Sequence, residues 1–229
     1  FTNKIDIYHG LSHELPLGIE KTSIKSVVTI HDLIFIRYPH LFSTIDRKIY
    51  LKKFKSACER ADKIIAISQQ TKQDIIDFLE IPESKITVVY QGCNNIFQKP
   101  IAESKKEETL KKHNIPTEYL LNVGSIEERK NLLTLLQALK ELPNQKLVVI
   151  GNGKSYKIKC LRYIKEHNLS GRVMFLSNLT LEEMAVIYQS AQLMIYPSIF
   201  EGFGIPILES LFSKTPVITS KGGCFSEAG

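Results

Sequence analysis

Nine short, mostly apolar and β-branched runs restrict most what this chain can fold into: IDIYH, SVVTIH, KIIAIS and KITVVY, then YLLNVG, KLVVIG, VMFL, LMIYPS and PVITS. Runs so nearly continuous in apolar character leave no face for water, so a strand made from one must be covered on both sides. The segments between them are of helical length, the pattern of βαβ units in a parallel sheet. The spacing therefore predicts an α/β chain. Helix starts are marked at Ser68, before QQTKQDIIDFL, and at Thr180, where Glu183 three residues on makes a capping box. From Gln98 to Thr117 the chain turns polar, with Pro100 and Pro116 around the charged patch ESKKEETLKKHN. A domain junction holding a short helix is expected there, dividing residues 1–98 from 99–229.

With 229 residues, 43% of them hydrophobic, the chain can build two modest packed domains. It contains no run of 18 or more uncharged apolar residues, and no signal or targeting segment is read at Phe1, so a protein that neither spans a membrane nor is exported is expected. Cys58, Cys93, Cys160 and Cys224 lack C-x-x-C or Cys/His spacing, which points to reduced thiols in the cytoplasm and to no structural zinc. The net charge of +6 fits either an anionic partner or an ordinary lysine excess, and no nucleic acid is expected.

Two nucleotide-binding motifs fail on inspection. VVIGNGKSY has Gly151 and Gly153 but Tyr156 where a dinucleotide fingerprint needs a small residue, and Val148 where a P-loop needs glycine. A tight turn after a strand is the plain reading. The six aspartates form no D-x-D, so no chelated metal is expected to carry a substrate's phosphates, and no cofactor is expected.

What remains lies at the carboxyl ends of the second domain's strands, where open parallel sheets bind ligands. Arg129 and Lys130 follow YLLNVG at the entry to NLLTLLQALK. Two cations at a helix start oppose its dipole, so either they are simply solvated or an anion sits against them. FEGFGIPILES then sets Glu201 and Glu209 either side of a Gly-Phe-Gly turn. That stretch reads as a plain turn into a helix or as a ligand grip. In the second reading Gly202 and Gly204 let the backbone approach a ligand, Ile205 begins a helix with Pro206 in its first turn, and each carboxylate accepts hydrogen bonds from vicinal sugar hydroxyls.

Taken together, VVTIHDL, ADKIIAISQQTKQDI, KITVVYQGCNNIF, VGSIEERKN, RVMFLSN, LEEMAVIYQSAQLMIYPS, EGFGIPILES and TPVITSKGG resemble the glycosyltransferases of family 4, over nearly the whole chain. The spacing of Glu201 and Glu209 matches that family's E-x7-E motif. The resemblance implies a GT-B fold of two Rossmann-like domains facing each other across a cleft. It implies a bacterial, cytoplasmic, metal-independent enzyme that moves a hexose, with retention, from GDP-mannose or a UDP-hexose to a saccharide or lipid-linked acceptor in cell-surface glycan synthesis. A nucleotide-sugar-binding module that has lost catalysis is the alternative. Arg129 and Lys130 would neutralise the donor diphosphate. Glu209 would bind the ribose, while Glu201 with Gly202, Phe203 and Gly204 would hold the hexose. Gly124 and Ile205 would line the donor site, and Asn178 and Leu179 would meet the base, although Ser177 stands where many members have glycine. His31 would reach the donor sugar from the opposite domain. Against the family pattern the first domain is expected to be incomplete at its start and the second at its end.

Residues 46–60, DRKIYLKKFKSACER, carry six basic side chains against Asp46 and Glu59, with Tyr50, Phe54, Ala57 and Cys58 at helical spacing. The basic face is either merely solvated or a docking surface for an anionic membrane.

Overall fold

Every one of the nine apolar runs forms a strand, with ends within two residues of the run's own. The computed structural model describes residues 5–229; Phe1 to Lys4, where the first domain was expected to begin, lie outside the described residues. The first half runs β1 (Ile7–Gly10), β2 (Lys25–Ile30), α1 (Ile34–Arg37), α2 (Thr44–Arg60), β3 (Lys63–Ala66), α3 (Gln69–Leu79) and β4 (Ile86–Val88). The second runs α4 (Glu103–Lys112), β5 (Leu120–Val123), α5 (Leu132–Lys140), β6 (Leu147–Ile150), α6 (Ser155–Glu166), β7 (Val173–Leu176), α7 (Leu181–Ser190), β8 (Leu193–Tyr196), α8 (Ile205–Phe212), β9 (Val217–Thr219) and α9 (Phe225–Ala228).

Two compact units result: residues 5–91 with 201–203, and residues 92–200 with 204–229. The first holds a sheet ordered β1-β2-β3-β4, the second a sheet ordered β7-β6-β5-β8-β9, and all described pairings are parallel. In the first unit Val28, Ile30 and Ile64 pack with Ala57, Cys58 and Ile75 of α2 and α3, all six fully buried. In the second unit β5 and β6 are buried along their whole length, as central strands of a parallel sheet must be. Tyr50, expected on the packed face of α2, is 37% exposed although its ring lies 5.7 Å from that of Phe35. It sits one turn nearer the helix start than Phe54, with further ring contacts to Phe42 at 6.4 Å and to Phe54 itself at 6.0 Å.

The helix starts follow the local chemistry. Ser68 Oγ accepts from the Thr71 amide at 2.9 Å. At α7 Thr180 Oγ1 accepts from the Glu183 amide while Glu183 Oε2 accepts from the Thr180 amide, at 3.2 and 2.9 Å. Glu183 does more than cap. Its Oε1 accepts from Lys112 Nζ at 2.7 Å and from His113 Nε2 at 2.8 Å, both at the carboxyl end of α4. An acid in the first turn of one helix thus meets two bases at the last turn of another, favourable for both dipoles.

Lys112 first, then the Thr180 amide and His113, hold the Glu183 carboxyl down at about 2. A carboxyl depressed on folding stabilises the fold fully above its unfolded value and loses that contribution as pH falls through the folded one. Glu183→Gln should lower stability by about 1–2 kcal/mol at neutral pH, and the deficit should shrink as wild type is acidified from about pH 4.5 towards pH 2. Urea unfolding of both proteins at several pH values measures this; a deficit that does not change with pH counts against the network.

Candidate functional site

In the second sheet β5 and β8 are neighbours, and the chain runs outward from them in opposite directions, to β6 and β7 on one side and to β9 on the other. Ligands of open parallel sheets bind at such a switch point, beyond the carboxyl ends of the strands. The two strands pair only at Leu120–Leu193 and Leu121–Met194, so the ladder opens before either strand ends. Asn122 bridges the opening, its buried side-chain amide donating to the Ile195 carbonyl at 2.8 Å.

The loop after β5 is stitched to the loop after β8. Arg129 and Lys130 were expected at the start of α5. They lie instead in a separate 3-10 turn, Glu128–Lys130, divided from α5 by Asn131 in the left-handed conformation (φ 56°). Neither cation therefore points along that helix's unfavourable dipole. Lys130 Nζ donates to the Tyr196 hydroxyl at 2.9 Å, and its aliphatic stem lies 3.6 Å from where a Cβ on Gly124 would sit. Arg129 donates to the Phe200 carbonyl at 2.8 Å and to Glu127 at 2.7 Å, while its own carbonyl accepts from the Ile199 amide. A guanidinium has five donors in a fixed planar fork, so these bonds set its orientation.

Gly204 takes φ 112° as the residue before α8, a conformation that suits glycine, and Pro206 stands in the helix's first turn as expected. Glu209 is half-buried and its Oε2 accepts from the Tyr188 hydroxyl at 2.7 Å. Burial pushes its carboxyl up, with Tyr188 pulling the other way. Burial and then Glu209 push up the thiol of Cys93.

Glu201–Phe203 belong to the first unit. Glu201 is buried, and Phe203 stacks on Tyr90 at 5.7 Å. A Cβ on Gly202 would come within 2.1 Å of the His31 carbonyl. The close approach foreseen for this glycine is thus one the protein makes with itself. His31 stands just past β2, its Nε2 donating to the Leu11 carbonyl at 2.9 Å, which leaves Nδ1 as the acceptor for Gln91 at 3.5 Å. Asn178 and Leu179 follow β7; Asn178 is exposed and left-handed (φ 57°). The turn after β6 has a packing reason for its glycines, since a Cβ on Gly151 would lie 1.9 Å from the Gly124 carbonyl and one on Gly153 2.2 Å from that of Ile126.

The second unit thus gathers Gly124, Arg129, Lys130, the start of α8 at Gly204 and Ile205, and Glu209. His31 and Glu201–Phe203 are gathered in the first. Two residues that touch the site groups, Tyr196 on Lys130 and Tyr188 on Glu209, lie within LEEMAVIYQSAQLMIYPS but were assigned no role from the sequence. Their hydroxyls sit on otherwise apolar faces of β8 and α7, the only signal available in the sequence. Such a set can bind a diphosphate through cations and helix-start amides, and hydroxyls through a poorly solvated carboxylate.

A family model described as glycosyl transferases group 1 matches residues 105–228, and one described as Glycosyltransferase Family 4 matches residues 1–95. The chain is 29% identical to the serotype-specific mannosyltransferase WbdA of Escherichia coli over 213 residues, 89% of this chain and 26% of that protein. It is 28% identical to the O-antigen chain mannosyltransferase B of Escherichia coli over 93% of this chain and 56% of that protein. The chain spans about half the length, or less, of these curated relatives. Among solved structures, Anabaena HepE in complex with UDP and glucose superposes with a TM-score of 0.76 at 20% identity, over 89% of this chain and 55% of that one. These likenesses make the fold GT-B.

Loss of a charge-assisted hydrogen bond is worth roughly 1.5–3 kcal/mol, so Lys130→Ala should weaken binding of inorganic pyrophosphate or a nucleoside diphosphate about tenfold or more. Its thermal midpoint should fall less than that of Arg129→Ala, because the Tyr196 hydroxyl loses this donor but the loop's backbone bonds remain. Arg129→Ala should weaken binding and also lower the midpoint, since the Phe200 carbonyl loses its donor. Calorimetric titration and melting curves separate the two, and unchanged affinity in both variants removes the anion site.

Proposed function

The chain belongs to the glycosyl transferases group 1 family, and on that premise we propose that it moves a hexose from a nucleotide diphosphate sugar, GDP-mannose or a UDP-hexose, to a saccharide or lipid-linked acceptor in cell-surface glycan synthesis. Anomeric configuration is retained. Residues 99–229 bind the donor and residues 1–98 serve the acceptor side. The observation that carries this reading is the bracing of Lys130 by Tyr196, and of Arg129 by the Phe200 carbonyl, at the opening between β5 and β8. Its support from relatives is their printed activity as mannosyltransferases, and from HepE its complex with UDP and glucose.

In the proposed reaction the bond from the anomeric carbon to the diphosphate breaks through an oxocarbenium-like state, and charge grows on the leaving oxygens. Arg129, Lys130 and the amides at the start of α8 stabilise that charge without rearranging, which is where fixed dipoles act most strongly. The departing phosphate takes the acceptor's proton. Glu209 holds the ribose, Glu201 with Gly202, Phe203 and Gly204 the hexose, Asn178 and Leu179 the base, and His31 the sugar from its own unit. Turnover of GDP-mannose or UDP-glucose by the full protein should persist in EDTA and fall with Glu209→Ala. A donor bound but never hydrolysed or transferred favours the noncatalytic module, and activity abolished by EDTA and restored by magnesium overturns the metal-free chemistry.

We also propose a cytoplasmic protein resting on an anionic membrane through α2. Among the described residues no helix is long and apolar enough to cross one. On α2 Ile45 and Ile49 are 71% and 46% exposed beside Arg47, Lys48 and Lys52. Lys53, Lys55 and Arg60 are instead drawn to Glu14, Glu80 and Glu20. Each basic residue near an anionic surface contributes about 1 kcal/mol, so three support salt-sensitive attachment. Co-sedimentation with anionic but not neutral vesicles is expected, and reversal of Arg47, Lys48 and Lys52 to Glu should abolish it; equal recovery with both lipids leaves a solvated helix.

A further inference from the structure

Glu209 is the carboxylate given to the donor's ribose above, and the group that holds it, Tyr188, has been given no role so far. We propose that Tyr188 is the positioning residue of Glu209, its hydroxyl clamping Oε2 at 2.7 Å so that the other oxygen, Oε1, is presented to a nucleoside's vicinal hydroxyls. This rests on the proposed role of Glu209.

The clamp is rigid because Tyr188 is held on several sides. It is fully buried, its ring meets Phe97 edge-on at 5.3 Å, and its carbonyl accepts from Thr215 Oγ1. The next residue, Gln189, donates to the Lys99 carbonyl at 2.8 Å. A phenol fixed in this way sets one carboxylate oxygen and thereby the plane of the whole group. Among the described residues Glu209 makes no other side-chain hydrogen bond.

A purely structural tyrosine in this core needs no carboxylate. Tyr119, also fully buried, satisfies its hydroxyl with the Ile187 carbonyl at 2.6 Å. Drawing a carboxylate out of water is costly, so the Tyr188 pairing makes better sense if Glu209 is wanted there in its ionised form. Burial does push the Glu209 carboxyl up, and the Tyr188 hydrogen bond opposes it. The other titratable groups facing the pair are Cys93, ahead of the Asn95–Gln98 turn, and Tyr196 at the end of β8. Removing the hydroxyl therefore shifts protonation of Glu209 to higher pH and frees its rotamer, and both effects weaken a grip that needs an oriented anion.

The test uses the full chain and two probes, UDP and GDP, titrated over a range of pH. Tyr188→Phe should weaken whichever nucleotide binds about tenfold on the acid side of neutrality, with partial recovery at higher pH. Carbon NMR of the Glu209 carboxyl should show it titrating at higher pH than in wild type, and KM for the sugar donor should change more than kcat. Tyr119→Phe, which also deletes a buried hydroxyl, should cost stability and leave affinity alone. In the wild-type chain the Tyr188 hydroxyl proton should shift as Glu209 titrates, a readout that needs no variant. An unmoved Glu209 titration, an unmoved hydroxyl proton, or unchanged affinity in a folded Tyr188→Phe overturns the proposal. Glu209→Gln separates the two levels: if it weakens binding while Tyr188→Phe does not, only the positioning role falls, and if it binds both nucleotides as wild type does, the donor role of Glu209 falls and takes the positioning role with it.

Discussion

The early parting of β5 from β8 is the constraint on which the candidate site depends. Two parallel strands that stayed paired to their ends would leave no room at the switch point for anything but their own loops. Here pairing stops at Leu121 and Met194, and the Asn122 side chain takes over where the ladder lapses, donating to Ile195. Below that point the sheet is continuous, with β5 and β6 buried along their whole length. Above it, the loop after β5 is tied to the end of β8 and the loop beyond it by defined bonds, Lys130 to Tyr196, Arg129 to Phe200 and Asn131 to Pro197.

Those bonds explain how two adjacent cations are held in place at a strand end. A lysine and an arginine side by side repel each other and would splay into water if left to themselves. Tyr196 offers Lys130 a fixed oxygen, and Glu127 with the Phe200 carbonyl shares Arg129. The same logic applies to the acid on α8. A carboxylate that loses water is pushed towards its protonated form, and one well-placed hydroxyl, here that of Tyr188, opposes that shift. In each case a neutral aromatic residue from the α7–β8 segment orients a charged one.

Glycine positions show how local and tertiary causes differ. Gly204 is required by its own backbone, at φ 112°, whatever surrounds it. Gly202 and Gly153 are required by what packs against them, the carbonyls of His31 and Ile126. Gly151 combines both causes, a positive φ and the carbonyl of Gly124. For these three the neighbour is a backbone oxygen far away in the chain, and no pattern in the residues around the glycine announces it.

What the sequence by itself determined is whatever depends on short-range physics. Apolar runs specify the strands, although only β5 and β6 are buried along their whole length while β1 and β9 stay largely open on the outside; Ser68 and Thr180 with Glu183 mark helix starts through bonds spanning three residues, and Pro206 does so through its fixed φ. The pairing of Glu201 with Glu209 in one motif was equally plain, because both sit in one contiguous stretch. Only the tertiary structure decided the strand order, the parting of β5 and β8, and the removal of Arg129 and Lys130 from the helix into a turn of their own. It also decided that Glu201–Phe203 pack with the first unit and Glu209 with the second, and that Tyr188 and Tyr196 are the hydroxyls that meet the charged groups. Each of these depends on partners 20 to more than 100 residues away along the chain, such as Tyr188 with Glu209 at a separation of 21 and Thr71 with Gly202 at 131. Periodicity and capping are blind to such distances, because the energy that settles them comes from desolvation and packing once the chain has closed on itself.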